Sequence, residues 1–286
     1  MASRTYGILL VTLSAILWST AGPFVRMAEL DSWTLIGWRS LFAFLTLAGF
    51  AAYEHRTNLA KAVTGMGSAG LVAVAISVLS TIAYIFALNL TTVANVMIVY
   101  ATLPFIAALI GFVWIRERVT VRLLGAGLAA FAGIAIMAGA AASSKDILGI
   151  VWAFVMTATF ASQIVHTKVH PQLDLNVAMA LAAGACGLIA IPLMEPGLPS
   201  PTALLACALY GALTSGLAYV LALNGSRYIT AGESGFIQML DVVLGPLLVW
   251  MFFAEQPGAT VLAGGAIVLT AVVWYLAPAV RAPSVA

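Results

Sequence analysis

Long apolar runs, each broken by a short polar or charged stretch, make up almost all of this 286-residue chain. A helix that crosses a bilayer needs ~20 mostly apolar residues. Ten stretches meet that need: 6–27, 32–53, 65–88, 93–113, 120–139, 147–169, 175–194, 201–222, 232–253 and 258–277. The runs are continuously apolar and do not alternate, which predicts helices and not barrel strands. The first run is longer than a signal-peptide core and is followed by others of its kind, so it reads as a retained span.

The pattern also repeats at long range. Ser80-Thr-Ile-Ala-Tyr-Ile-Phe-Ala-Leu-Asn89 returns 135 residues later as Ser215-Gly-Leu-Ala-Tyr-Val-Leu-Ala-Leu-Asn224, with six of ten positions identical. A glutamate closes a Trp-containing run in both places, Trp114-Ile-Arg-Glu117 and Trp250-Met-Phe-Phe-Ala-Glu255, and small-residue runs follow at Gly125-Ala-Gly127 and Gly264-Gly-Ala266. Self-similarity at half the chain length is the mark of an internal duplication. The halves divide as 1–143 and 144–286. Each holds five of the predicted spans, and an odd number turns the second copy upside down relative to the first.

Charge supports this alternation. With a cytoplasmic N-terminus, the inner segments hold Arg4, Arg56, Lys61, Arg116, Arg118, Arg122, Lys168, Arg227 and Arg281, and the outer loops only Arg26 and Lys145. Nine against two is a strong positive-inside bias. The expected fold is therefore an all-α membrane protein: ten transmembrane helices in two inverted five-helix repeats around a central cavity, with both termini cytoplasmic. Secondary transporters commonly place their substrate between such repeats near the midplane.

Composition narrows the function. The chain is 63% hydrophobic and 8% charged, against about 25% charged in soluble domains, so lipid is its solvent. A net charge of +2 gives no nucleic-acid footprint. Cys186 and Cys207 sit in apolar runs and read as small buried hydrophobes. A phosphate-binding Gly-rich loop with its Lys-Ser/Thr is absent, which excludes ATP-driven pumping by this chain alone. No cofactor or metal is expected, and nothing demands more than a monomer. A membrane enzyme is a weak alternative, because no nucleophile, base and metal ligands converge.

The chemistry-bearing residues concentrate in a few spans. Ser234, Gln238, Asp241 and Gly245 share one face of span 9. Asp241 is a carboxylate at midplane, where charge is costly and by default serves a site; proton coupling and an ammonium partner are both open to it. Glu233, at the start of that span, reads as a helix N-terminal charge. Aligning Glu117 with Glu255 sets Tyr100 opposite Gln238 and Pro104 opposite Val242. Asn95, Met97, Tyr100 and Pro104 give span 4 a polar, aromatic and kinked character. Ser77, Thr81 and Tyr84 share a face of span 3, Ser215 and Tyr219 one of span 8, and Thr159, Gln163, His166 and His170 one of span 6. Gln163 is the deeper candidate; His166 is a possible proton relay. Trp18 lies away from both interfaces, whereas the interfacial belt explains Trp33 and Trp38. Arg39, two turns into span 2, has three readings: snorkelling, pairing with Asp31, or binding a carboxylate, with structural pairing preferred. Gly125, Ala129 and Gly133 permit close helix packing.

Leu17-Trp-Ser19, Arg39, Pro104 through Arg116-Glu117-Arg118 with Gly125, and Gly245-Pro246 through Glu255-Gln-Pro257 with Gly264 resemble the drug/metabolite transporter superfamily, EamA type, over essentially the whole chain. The Leu17-Trp-Ser-Thr20 start is also similar to YddG-type amino-acid exporters of bacterial inner membranes. The resemblance implies a ten-helix alternating-access carrier of the plasma membrane with a cavity built from spans 1, 3, 4, 6, 8 and 9. The matching positions are Trp18, Tyr84, Tyr100, Gln163, Tyr219 and Gln238, to which the midplane charge adds Asp241. Val242 departs from the proline usual in the second copy, which leaves the shape of span 9 open.

Rings, amides and hydroxyls suit small amphipathic metabolites, with neutral and aromatic amino acids the leading substrate class. Sugar phosphates need buried cations, and only Arg39 is available. Efflux of cationic drugs is the alternative, with Asp241 standing in for the acid that span 1 lacks.

Overall fold

The computed structural model describes residues 2–90, 96, 99–138, 147–253 and 259–281. Asn95, Met97, Lys145, Glu255-Gln-Pro257 and Ala286 lie outside the described residues. Among the described residues the chain is all helix with no strand. The helices are α1 (Ala2–Ser19), α2 (Ala21–Ala28), α3 (Ser32–His55), α4 (Leu59–Gly65), α5 (Gly67–Leu90), α6 (Leu103–Ile115) and α7 (Val121–Ala138). They continue as α8 (Ile147–Val169), α9 (Leu175–Ala190), α10 (Pro201–Leu209), a π-helical stretch Tyr210–Ala218 leading into α11 (Tyr219–Ser226), α12 (Ala231–Gln238), α13 (Leu240–Phe253) and α14 (Ala259–Arg281). Seven helical segments among the described residues are long and apolar enough to cross a membrane, several of them built from two consecutive helices; Leu103–Ile115, Val121–Ile136 and Leu262–Tyr275 are shorter apolar helices.

Local chemistry sets the boundaries. Asp31 caps α3, accepting from the Trp33 and Thr34 backbone N–H groups at 2.9 and 3.1 Å. Burial acts to raise the pKa of this carboxyl, but the donors of Thr34 and Trp33 outweigh it and hold it below its ordinary value. Asp174 caps α9, Ser200 followed by Pro201 caps α10, and Thr230 caps α12. At the other end of α6, Arg116 adopts the left-handed conformation (φ 57°) and the Glu117 N–H returns to the Gly111 carbonyl at 3.1 Å. That turn points Glu117 back into the bundle.

The helices pack in antiparallel pairs. Along α3 and α9, Gly37 meets Met194, Phe44 meets Gly184, and His55 pairs with Asp174. Along α6 and α12, Gly111 lies by Ala231 and Pro104 by Gly235. Along α7 and α14, Arg122 reaches the Trp274 carbonyl and Gly133 abuts Gly264, where an added Cβ would stand 2.7 Å from the carbonyl oxygen. Of the small-residue stripe predicted in span 5, Gly133 serves packing within the chain, whereas a Cβ at Gly125 would meet nothing within 4 Å. In the same manner α5 lies against α8, and α1 against the helix of residues 201–226, where Gly7 meets Gly225 and Trp18 meets Thr214. Leu13, Leu45, Leu128 and Phe154 stay exposed on the outside, the surface that lipid covers.

Two helices break at equivalent points. Ala101-Thr102 forms a turn before α6, with the Thr102 N–H bonded to the Val99 carbonyl at 2.9 Å; Met239 interrupts α12 and α13, its N–H bonded to the Phe236 carbonyl at 3.2 Å. Pro104, in the first turn of α6, explains the first break. The second occurs without a proline, since Val242 occupies that place. Span 9 is therefore broken like its partner, and the departure from the usual proline does not straighten it.

Candidate functional site

A cavity of about 230 Å³ opens between α1, α3, α5, α8, α9, the 201–226 helix and α13. Its wall is largely aromatic. Trp18, Phe160 and Tyr219 form an edge-to-face cluster, with ring centroids 5.5, 5.8 and 5.7 Å apart. Tyr84, Tyr100 and Tyr210 add three more rings, and Ser40, Ser77, Ser80, Thr81, Thr214 and Ser215 supply hydroxyls. Asp241 and Arg39 carry the charge.

The π-helical stretch explains how one helix contributes so much. An α-helix presents every third or fourth residue to one side; the wider turn between Tyr210 and Ala218 brings Tyr210, Thr214, Ser215 and Tyr219 all to the cavity. It also leaves the Thr214 carbonyl to accept from the Trp18 indole N–H at 2.8 Å, which locks the ring against the wall. Gly211 lets this helix touch α3: a Cβ there would stand 2.3 Å from the Arg39 carbonyl oxygen. That close approach sets the Arg39 guanidinium on Ser215, Nη1 to Oγ at 2.9 Å, and 5.2 Å from the Tyr210 ring centroid.

Of the residues singled out in the sequence, Trp18, Tyr84, Tyr100, Tyr219 and Asp241 line this cavity. Gln163 and Gln238 do not line it. Gln163 is fully buried behind the wall; its Oε1 accepts from the Tyr219 hydroxyl at 2.6 Å and its Nε2 donates to Ser77. It is the support of a cavity residue. Gln238 is also fully buried, donates to Ser234 at 3.0 Å, and leaves Oε1 without a partner among the described residues. His166 lies one end away from the cavity, bonded to the Ala69 carbonyl at 2.9 Å and beside Trp114 and His170.

Arg39 corrects a preference of the sequence reading. It does not pair with Asp31, whose Oδ1 caps α3; Arg39 turns to Ser215 and the Tyr210 ring instead. Phe160 and Tyr210 escaped sequence reasoning, since neither breaks the apolar pattern of its span. Trp33 packs edge-on against the exposed Phe86, which stacks on Trp152 at 5.1 Å, so an aromatic cluster at the bundle's outer surface holds it.

Charged contacts tie the helices together at the end of the bundle away from the cavity. Lys168 meets Glu117 and the Ile229 carbonyl, and Arg4 meets Glu233, which is 3% exposed. His55 meets Asp174, with Glu54 alongside through Asn176. Arg227 donates to the Leu173 carbonyl at 2.8 Å.

A many-helix membrane bundle around an internal cavity, tied by charge at one end, has the build of a multi-pass transporter. The EamA-like transporter family matches residues 5–139 and again 145–277, so the chain belongs to that family and is a membrane transporter. No curated relative matches the sequence. A solved structure titled only "Crystal structure of protein" superposes with a TM-score of 0.81 over 97% of this chain and 99% of its own, at 17% identity, a likeness of fold.

Proposed function

We propose that the chain is a ten-span alternating-access carrier, in two inverted five-helix repeats, that exports small amphipathic metabolites from the cytoplasm, neutral and aromatic amino acids foremost. This is also where the similarity to YddG-type exporters leads. The observation that carries the substrate class is the cavity itself: six aromatic side chains and six hydroxyl-bearing ones around about 230 Å³. Drug-sized ligand pockets run to about 300–1,000 Å³, so this space favours a solute of amino-acid size. Rings stack on an apolar or aromatic side chain, and hydroxyls bond its polar end.

Packing supports the inversion. The corresponding helices α3 and α9, α6 and α12, and α7 and α14 run antiparallel in contact, as a two-fold axis in the membrane plane requires. The contact of α5 with α8 has its mate in that of α1 with the 201–226 helix. The breaks at Ala101-Thr102 and Met239 fall at equivalent places. With Arg4, Arg227 and Lys168 cytoplasmic, in a bacterial-type inner membrane, the end tied by charge is in this reading the closed, inner one, and the cavity opens outward.

Flux of radiolabelled phenylalanine in proteoliposomes, with and without a pH gradient, tests the reading. A saturable rate supports it. Absent amino-acid flux beside saturable flux of an organic cation would replace it with cation efflux, the reading that Asp241 in the cavity otherwise favours.

A further inference from the structure

We infer that Arg39 and Asp241 grip the two ends of a zwitterion, Arg39 its carboxylate and Asp241 its ammonium, so that the cavity selects solutes carrying both charges. The inference rests on the amino-acid reading above. Both residues line the same cavity, Arg39 from α3 and Asp241 from α13. They form no ion pair with each other, nor with any other residue among those described. Charge within a membrane is costly, and a structural pair would spend that cost on mutual contact. Here two groups of opposite charge line one chamber without pairing, with the Tyr84 side chain on the same wall.

Each group is also only partly used. Arg39 spends Nη1 on Ser215 and rests its guanidinium on Tyr210, contacts that orient the fork without neutralising it. Its other donors are left for the planar, bidentate match that a carboxylate offers. Asp241 Oδ1 has no hydrogen-bond partner among the described residues. An α-ammonium brings both a positive charge and N–H donors to such an oxygen. The Trp18, Phe160 and Tyr219 rings then receive the side chain. A carrier for organic cations would gain nothing from Arg39 in this chamber, and one for organic anions nothing from Asp241; a net-neutral substrate with both ends explains the two together.

Competition in proteoliposomes holding the full chain tests this with three probes of one shape: phenylalanine, phenethylamine without the carboxylate, and 3-phenylpropionate without the ammonium. Wild-type protein should prefer phenylalanine at least tenfold over either. Arg39→Gln should cut the preference over phenethylamine at least tenfold and keep that over phenylpropionate; Asp241→Asn should do the reverse. Arg39→Lys should restore part of the first preference, which a purely structural arginine would not show. Equal uptake of phenylalanine and either one-charge probe by wild-type protein overturns the inference and leaves amino-acid transport standing; that arm needs no variant to fold. Equal loss for all three probes in both variants, with selectivity unchanged, overturns it as well. Saturable phenethylamine flux without any phenylalanine flux overturns the inference together with the amino-acid reading.

Discussion

Glu117 Oε2 accepts a hydrogen bond from the Ala231 backbone N–H at 2.7 Å, so the turn that ends α6 caps the helix of the other repeat that packs against it. The same carboxylate meets Lys168, which also donates to the Ile229 carbonyl. Three segments are tied at the closed end by one partly buried group.

This tie should hold the proposed cytoplasmic side shut. Removing either charge leaves the other without its counter-ion in a partly buried place, a loss of about 1–3 kcal/mol. Glu117→Gln and Lys168→Met should both shift molecules toward the inward-open form. Cysteine-labelling rates from the cytoplasmic side would show it as a several-fold rise at cavity positions such as Thr81. The charge-reversed pair Glu117→Lys with Lys168→Glu should recover part of the closed population. Unchanged labelling in both single variants would make the contact incidental.

Much of this arrangement was legible in the order of residues. Apolar runs placed the helices, because lipid forces every backbone group to be satisfied within its own segment. The repeated Ser-Ala-Tyr-Ala-Leu-Asn pattern marks Tyr84 and Tyr219 as equivalent positions of the two halves, one toward each side of the membrane. What stayed hidden depends on three-dimensional register. Gln163 looked like a cavity residue because it is polar and deep, but the helix turns it onto Tyr219 and Ser77, behind the wall. Nothing in the run Tyr210 to Ala218 announces a π-helix, whose wider turn decides which side chains reach the cavity. Arg39 was ambiguous because its position along the chain leaves several partners open, and only the packing of the 201–226 helix on α3 sets its guanidinium on Ser215 and Tyr210.

Gly211 should be among the least replaceable small residues. A Cβ there would meet the Arg39 carbonyl oxygen at 2.3 Å and the Phe42 Cβ at 2.8 Å. Overpacking typically costs about 1–3 kcal/mol. Gly211→Val should lower the thermal midpoint in detergent by several degrees and reduce phenylalanine affinity, since Arg39 shifts with the α3 backbone. Gly49→Ala, which meets nothing within 4 Å, is the control and should leave both unchanged.

Inversion of the halves makes a prediction about sidedness. Single cysteines replacing Lys145 and Ala286 should label from opposite sides of the membrane, Lys145 from outside and Ala286 from the cytoplasm. Labelling of both from one side would end the ten-span arrangement.

The two repeat-matched tyrosines should act on opposite mouths. The Tyr219 hydroxyl is bonded to Gln163 at 2.6 Å, and Gln163 to Ser77, which joins the 201–226 helix, α8 and α5 below the cavity. The Tyr84 hydroxyl has no hydrogen-bond partner among the described residues. One tyrosine is thus engaged while its counterpart waits, as two gates that close in turn require. With the inner end shut, Tyr219 is the closed gate and Tyr84 the open one. Tyr219→Phe should therefore shift the population toward inward-open molecules by breaking one hydrogen bond, worth about 0.5–1.5 kcal/mol, or roughly two- to tenfold in the ratio of states. Tyr84→Phe should leave the outward-open form unchanged and slow the return step, which single-turnover counterflow would resolve. Gln163→Leu should mimic Tyr219→Phe, and the two together should add little to either alone, because they remove the same bond. Two tyrosines that only fill equivalent packing sites would instead lower stability in both variants with no directional bias in labelling.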